Sequence, residues 1–185
     1  MRVIAGELRG RQYKSVPGLA TRPTPDRLRE SLFNVLAPEI EGCTFLDAYA
    51  GCGSVGIEAL SRGAERAIFI EKDRTAVRVI QQNLRTLALV FRSNVIGGSV
   101  TGYLAHLNRL QPDIVFLDPP YDQVREYEES LRLLGDMAPS LVVAQHATRQ
   151  LLKDRYGLLS RARILRQGDN TLSFYEVSPE RPGES

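Results

Sequence analysis

Short apolar runs separated by helical segments predict an α/β fold: a doubly wound, Rossmann-like sheet, mostly parallel, with helices on both faces. Three observations carry this. CTFLDAY, RAIFIE, PDIVFLD and SLVVAQ (residues 43–49, 66–71, 112–118 and 140–145) are strand-length apolar runs divided by stretches of helical periodicity. The first run leads into a glycine-bearing loop, AGCGSVG at 50–56, which opens a helix. Near the end of the chain LLSRARIL and TLSFYEV flank a QGDN turn, which suits an antiparallel hairpin.

The elements follow in order. Residues 1–18 read as a hairpin, RVIAG and RQYKSV about a turn at Glu7–Gly10. Thr24 then suits an N-cap and Pro25 a first helical position. Leu28, Leu32, Val35 and Leu36 form the apolar face of that helix, with Arg27 and Arg29 pointing elsewhere and Pro38 ending it. The glycine loop passes into the helix IEALSR, closed by Gly63. A longer helix opens on Asp73, and VFRSNVIG is expected to be the third strand. Residues 101–110 and EYEESLRLLGDM are expected to be helical.

At 185 residues the chain is long enough to bury a core without disulfides or metals. Its 43% hydrophobic and 25% charged residues are ordinary for a soluble globular protein. Cys43 and Cys52 form no metal-type pair, and His106 and His146 lack a ligand at metal spacing, so no metal is expected. A reducing cytoplasm is the expected compartment. There is no apolar run of about 18 residues, so no membrane association is expected. The net charge of +2 divides unevenly: residues 1–29 carry +5 and the rest −3. A basic arm on a slightly acidic body is expected to meet an anion such as a nucleic acid backbone.

GCGSVG (51–56) matches G-x-G-x-x-G after a strand and before a helix, the context of a nucleotide-binding loop. Asp47 would repel an incoming pyrophosphate, so a cationic amino or sulfonium ligand fits better than a dinucleotide. Glu71, at the end of the second strand, can accept hydrogen bonds from ribose hydroxyls. FLDPPYD (116–122) ends a buried strand on two prolines, which cannot continue a ladder. Asp118 and a turn carbonyl, taken as that of Pro119, can accept both N–H groups of an exocyclic amine. Pro120 stiffens the turn, and Tyr121 can stack on the base. Two acceptors around the amine favour the electron-rich geometry that attacks a methyl group. Candidate catalytic residues are therefore Asp118, Pro119, Pro120 and Tyr121.

With these motifs together, the chain resembles the RsmD-type methyltransferases, which methylate the exocyclic N2 of a guanine in small-subunit (16S) ribosomal RNA with S-adenosylmethionine. RVIAGELRGRQ, RPTPDRLRESLFNVL, LDAYAGCGSVGIEALSRGA, FIEKD, FLDPPYD and GDNTLSFYE carry the resemblance over nearly the whole chain. It implies a seven-stranded methyltransferase sheet with an N-terminal hairpin extension. The expected division is a substrate-binding extension at 1–40, a methyltransferase domain at 41–178 and a loose tail at 179–185. Candidate cofactor-binding residues are Asp47, Ala50, Gly51, Gly53, Glu71, Lys72 and Ser99. Arg9, Arg11, Lys14, Arg22 and Arg27 are expected to meet RNA, presented in a partly assembled small subunit to a monomeric enzyme. Three positions depart from the family's habit: Ser99 where Asp or Asn is frequent, Gln145 where an acid is common, and Cys52 where a small residue such as serine is usual. Adenine N6 methylation of RNA or DNA, an inactive RNA-binding assembly factor, and a nicotinamide dehydrogenase remain as alternatives.

Overall fold

The computed structural model describes residues 1–16, 24–105, 112–120 and 123–178. Five parallel strands form the body of the sheet: β1 (Thr44–Ala48), β2 (Arg66–Glu71), β3 (Ser93–Gly97), β4 (Ile114–Leu117) and β5 (Leu141–Ala147). Three antiparallel strands complete it: β6 (Arg155–Tyr156), β7 (Leu159–Gln167) and β8 (Asn170–Val177). The spatial order is β3-β2-β1-β4-β5-β8-β7-β6. Seven of these strands are the expected ones, with β7 and β8 joined through the QGDN turn. The eighth, β6, is a two-residue edge strand too short to leave a periodic signature.

Side chains alternate between the two faces of the sheet, as the pleat requires. Leu46, Ala48, Ile68, Ile70, Val115 and Leu117 pack with α4 (Val100–Leu104) and α5 (Val124–Met137). Phe45, Phe116 and Val143 face the other way, against α1 (Asp26–Leu36) and α2 (Ser54–Ser61). On that same face Phe69 packs with α3 (Arg74–Thr86). Asp73 caps α3, accepting the Ala76 N–H at 2.8 Å. The expected helix over 101–110 is described only through Leu104, and residues 106–111, with His106, lie outside the described residues.

Two local expectations are corrected. Helix α1 begins at Asp26, with Pro25 at the N-cap and no side-chain cap; Thr24 is buried. Residues Val90–Arg92 form a 3-10 turn rather than the start of β3. The cause is Arg92, whose guanidinium bonds the carbonyls of Leu60, Ala64 and Glu65 and the Glu7 carboxylate, which holds the chain in a turn.

The N-terminal segment is antiparallel, with one bridge between Arg2 and Gln12 and reciprocal bonds between Met1 and Tyr13. It does not build a longer ladder because other groups take its amides. The Ile4 and Ala5 N–H groups donate to the two oxygens of Glu58 at 2.9 and 3.0 Å. The Glu7 and Leu8 N–H groups donate to the Ser61 carbonyl and hydroxyl.

Arg29 corrects the expectation that it points away from the core. It is fully buried, whereas Arg27 is exposed. Its Nη1 donates to the Tyr13 hydroxyl at 2.8 Å, and its Nη2 to the Arg2 carbonyl at 2.9 Å and to Asp26 at 3.1 Å. Its Nε faces Glu58 at 3.9 Å. The arginine of RESLFN and the glutamate of EALSRGA thus clamp arm, α1 and α2 together. Without Arg29 the Tyr13 hydroxyl and the Arg2 carbonyl lose this donor, whereas Glu58 keeps the Ile4 and Ala5 N–H groups and Arg62 at 2.8 Å. Arg29→Met is expected to lower the unfolding free energy by about 2–4 kcal/mol in urea titration, since a buried and a part-buried acceptor lose a donor. Arg27→Met on the exposed side should change it by no more than about 0.5 kcal/mol.

Candidate active site

Strand order creates a topological switch at β1. From there the chain moves outward to β2 and β3, then returns on the other side of β1 as β4. Ligands of such sheets sit beyond the carboxyl ends of the strands at this point. Asp47 lies one residue before the end of β1, Glu71 ends β2, and Asp118 directly follows β4. Three carboxylates therefore stand at one end of the sheet.

Asp47 is buried, and its Oδ2 accepts the Gly56 N–H at 2.8 Å, which directs the carboxyl to the first turn of α2. Burial pushes its pKa up to about 8; the Gly56 bond opposes this, and the charges of Asp118 and Glu71 add to it. Glu71 uses both oxygens, accepting the Gly51 N–H on Oε2 and the Asp73 N–H on Oε1, each at 2.8 Å. A carboxylate offers about four lone-pair sites, so two remain for ligand hydroxyls.

The glycines serve different ends. Gly51 and Gly53 are left-handed, with φ of 57° and 82°. A Cβ on Gly51 would meet nothing within 4 Å, so this backbone faces open space where a ligand can approach. A Cβ on Gly56 would lie 2.3 Å from the Phe69 ring, so Gly56 lets α2 settle on β2. Ala50 is buried beside this loop, and Lys72 is exposed next to Glu71. Ser99 caps α4, accepting the Gly102 N–H at 3.2 Å, and its own hydroxyl proton can still be donated.

At the β4 end, Asp118 is partly buried and its Oδ2 accepts from Gln145 Nε2 at 3.0 Å. Burial pushes its pKa up to about 7. The neutral Gln145 thus supplies a donor to Asp118 where an acid would repel it. The Tyr127 hydroxyl is shared between the Pro119 carbonyl at 3.1 Å and the Gln145 carbonyl at 2.8 Å. The Pro119 carbonyl retains a second lone pair. Pro120 accepts the Gln123 N–H at 2.9 Å, closing the turn into α5. Tyr121 lies outside the described residues.

Sequence reasoning missed a second layer. Tyr49, left-handed with φ of 68°, follows β1 and bonds Glu126 at 2.6 Å and Ser130 at 3.0 Å on α5. The next residue of α5, Tyr127, holds the Pro119 turn. One helical turn thus supports the glycine loop and the DPPY edge together. A non-glycine residue at positive φ leaves no mark in a sequence, and Tyr127 reads as one more position on a buried helix face.

Of the candidate substrate residues, Arg9, Arg11, Lys14 and Arg27 are exposed, and Arg22 lies outside the described residues. The Lys14 backbone is fixed by Asn83, which also bonds the Cys52 carbonyl in the glycine loop. Both thiols are buried; burial pushes Cys43 up to about 12 and raises Cys52, so neither is a nucleophile. His146 bonds Ser173 at 2.9 Å, a satisfied polar role. Among the described residues no cluster of His, Cys, Asp and Glu could hold a metal, and no helix is long and apolar enough to cross a membrane.

A parallel sheet with an antiparallel last hairpin, an open glycine loop and an acid–Pro–Pro edge define an S-adenosylmethionine-dependent methyltransferase of class I. A family model described as "Conserved hypothetical protein 95" matches residues 1–176. "Putative rRNA methyltransferase YlbH" of Bacillus subtilis is 35% identical over 182 residues, covering 95% of this chain and 98% of that protein. "Ribosomal RNA small subunit methyltransferase D" of Escherichia coli is 40% identical over 136 residues, 74% of this chain and 67% of that one. The solved structure "Putative methyltransferase yhhF from Escherichia coli" superposes with a TM-score of 0.83 at 35% identity, covering 97% of this chain and 99% of that one. The chain belongs to this family of RsmD-type methyltransferases.

The raised pKa of Asp118 sets a pH dependence of stability. Below its ordinary value of 3.8 both folded and unfolded chains hold the proton; between there and about 7 only the folded chain does. Wild-type stability therefore falls as pH rises through this window. Thermal unfolding of Asp118→Asn should show a stability advantage over wild type that is absent near pH 4, grows to pH 7 and is level above it. A constant difference across that range would contradict the assignment.

Proposed function

We propose that this protein methylates the exocyclic N2 amino group of a guanine in small-subunit ribosomal RNA, presented in a partly assembled subunit. The observation that carries this is the pair of acceptors at the end of β4. Asp118 and the Pro119 carbonyl are adjacent in the chain, each braced by a side chain (Gln145 and Tyr127) and each with acceptor capacity left. The name of the Escherichia coli relative supports the ribosomal substrate.

S-adenosylmethionine, when bound, supplies a methyl group on a positively charged sulfur. Open backbone at Gly51, spare acceptor sites on Glu71 and the Asp47 carboxyl, which a nearby cation would favour in its ionised form, fit such a ligand. Ala50, Gly53, Lys72 and Ser99 would complete its surroundings. Asp118 and Pro119 orient the amine so that its lone pair points along the line of transfer, and such positioning supplies much of the rate. The nitrogen turns acidic only as the new bond forms, so Asp118 receives the proton late or passes it to water. A carboxylate with a raised pKa suits this, since proton acceptors work best near the operating pH. Pro120 fixes the turn, and Tyr121 is the proposed stacking partner of the base. Bases undergoing such chemistry leave the stack, which matches acceptors presented at a strand end. Residues 1–40 act as the substrate-binding extension, with Arg9, Arg11, Lys14, Arg22 and Arg27 toward phosphate, and residues 41–178 carry the chemistry.

The test incubates the protein with labelled S-adenosylmethionine and small ribosomal subunits from a strain lacking the gene, then digests the RNA to nucleosides. N2-methylguanosine is expected with wild type, falling at least about 100-fold with Asp118→Ala. N6-methyladenosine would replace the substrate while keeping the mechanism, and no transfer on free or partly assembled subunits would overturn the reading.

A further inference from the structure

The largest exposed apolar side chain among the described residues lies on a turn that leads into β3, at the opposite end of the parallel strands from the methyl-transfer edge, and the fold holds this turn tightly. Phe91 has a relative exposure of 102%, so its ring touches almost nothing, and Val90 beside it is half exposed. The turn itself is pinned. Leu87 and Leu89 are buried on one side of it, and the Ser93 hydroxyl donates to the Leu89 carbonyl at 2.8 Å. Arg92 fixes the other side through Glu7 at 2.6 Å and the carbonyls of Leu60, Ala64 and Glu65. An aromatic ring fully in water on a rigid turn contributes nothing to folding, and it can bind a partner with little loss of backbone entropy.

The surroundings give the partner's chemistry. Arg11, on the arm, donates to the Thr86 carbonyl at the end of α3. Arg85, one residue earlier, lines a shallow groove with Val90 along the open edge of β3 and enters no ion pair among the described residues. Arg9 is exposed on the same turn of the arm. The nearby acids Glu7 and Glu65 are each opposed by an arginine, Arg92 and Arg66. The remaining charges on this part of the surface, Arg85 in the groove with Val90 and Arg11 and Arg9 on the arm that meets the end of α3, are positive. An exposed aromatic ring next to a basic surface suits single-stranded nucleic acid.

The arm also joins this surface to the active site. At one end Met1 contacts Cys52 of the glycine loop, and at the other Glu7 reaches Ser61, the last residue of α2, and Arg92. Helix α2 is eight residues, about 12 Å long. We infer that Phe91 is a stacking platform for an unpaired base of the substrate RNA, with Arg85, Arg11 and Arg9 on the adjoining phosphates, at the far end of a track along the arm. This rests on the proposed RNA substrate and adds a second anchoring point remote from the target base.

The experiment measures binding of wild type, Phe91→Ala, Phe91→Leu and Phe91→Trp to protein-free 16S ribosomal RNA and to unmethylated small subunits over a salt series. Phe91→Ala is expected to weaken binding to both about tenfold, Trp to restore it and Leu to fail, with the salt dependence unchanged. Arg85→Ala should lower the slope of log affinity against log salt by about one. Cofactor affinity and thermal stability should match wild type in the three Phe91 variants, because the ring packs against almost nothing. Unchanged affinity of Phe91→Ala, or full rescue by Leu, would overturn the inference. A loss seen with assembled subunits alone would assign the ring to a protein contact and overturn it equally. Failure of the wild-type protein to methylate RNA would instead count against the proposed function, so the two failures are separable.

Discussion

Like charges gathered at one end of a sheet repel, and this site is organised around that constraint. Asp47, Glu71 and Asp118 meet where β1, β2 and β4 release the chain, and the charges of Asp118 and Glu71 help to raise the pKa of Asp47. The fold offsets the repulsion with donors rather than with cations: the Gly56 N–H for Asp47, the Gly51 and Asp73 N–H groups for Glu71, and the Gln145 amide for Asp118. Neutral donors add no positive charge, so this end becomes more negative as Asp118 and then Asp47 ionise, through about pH 7 and pH 8. In the proposed reading an end of this kind disfavours a pyrophosphate and suits a sulfonium, a distinction the glycine loop alone does not make.

Helix α5 turns this electrostatic arrangement into a geometric one. Glu126 holds Tyr49, in the loop that leads to the glycines, and Tyr127 holds the Pro119 turn. Two successive residues of one helix therefore set the spacing between the glycine loop and the Asp118–Pro120 edge. Tyr49 adopts a left-handed conformation, which costs about 1–3 kcal/mol at a non-glycine residue and persists where surrounding bonds over-determine it. The proposed in-line transfer between them needs that spacing held closely, and a rigid helix holds it better than two independent loops could.

Much of this was legible in the sequence because strand-length apolar runs, prolines and glycines act locally. CTFLDAY, RAIFIE and PDIVFLD became β1, β2 and β4, and Asp47, Glu71 and Asp118 stood where their strand ends predicted. What escaped depends on long-range partners. Arg29 reads as a surface cation until Tyr13, the Arg2 carbonyl and Glu58 are brought around it. The turn at Val90–Arg92 reads as strand until carbonyls from Leu60, Ala64 and Glu65 capture its arginine. Gln145 reads as a lost acid, yet beside Asp118 it is a donor. Tertiary context overrides local propensity in each case.

The proposed function stands on an acidic sheet end that prefers a cation as it ionises, so the most direct measurement compares S-adenosylmethionine with S-adenosylhomocysteine by titration calorimetry between pH 5 and pH 8. The two differ at sulfur, one a sulfonium and the other a neutral thioether. As Asp118 and Asp47 ionise, affinity for the sulfonium should rise with pH clearly more than affinity for the thioether, and Asp118→Asn should reduce the difference. Parallel pH dependence of the two ligands, or tighter sulfonium binding at pH 5, would contradict the acidic edge as the basis of cofactor recognition.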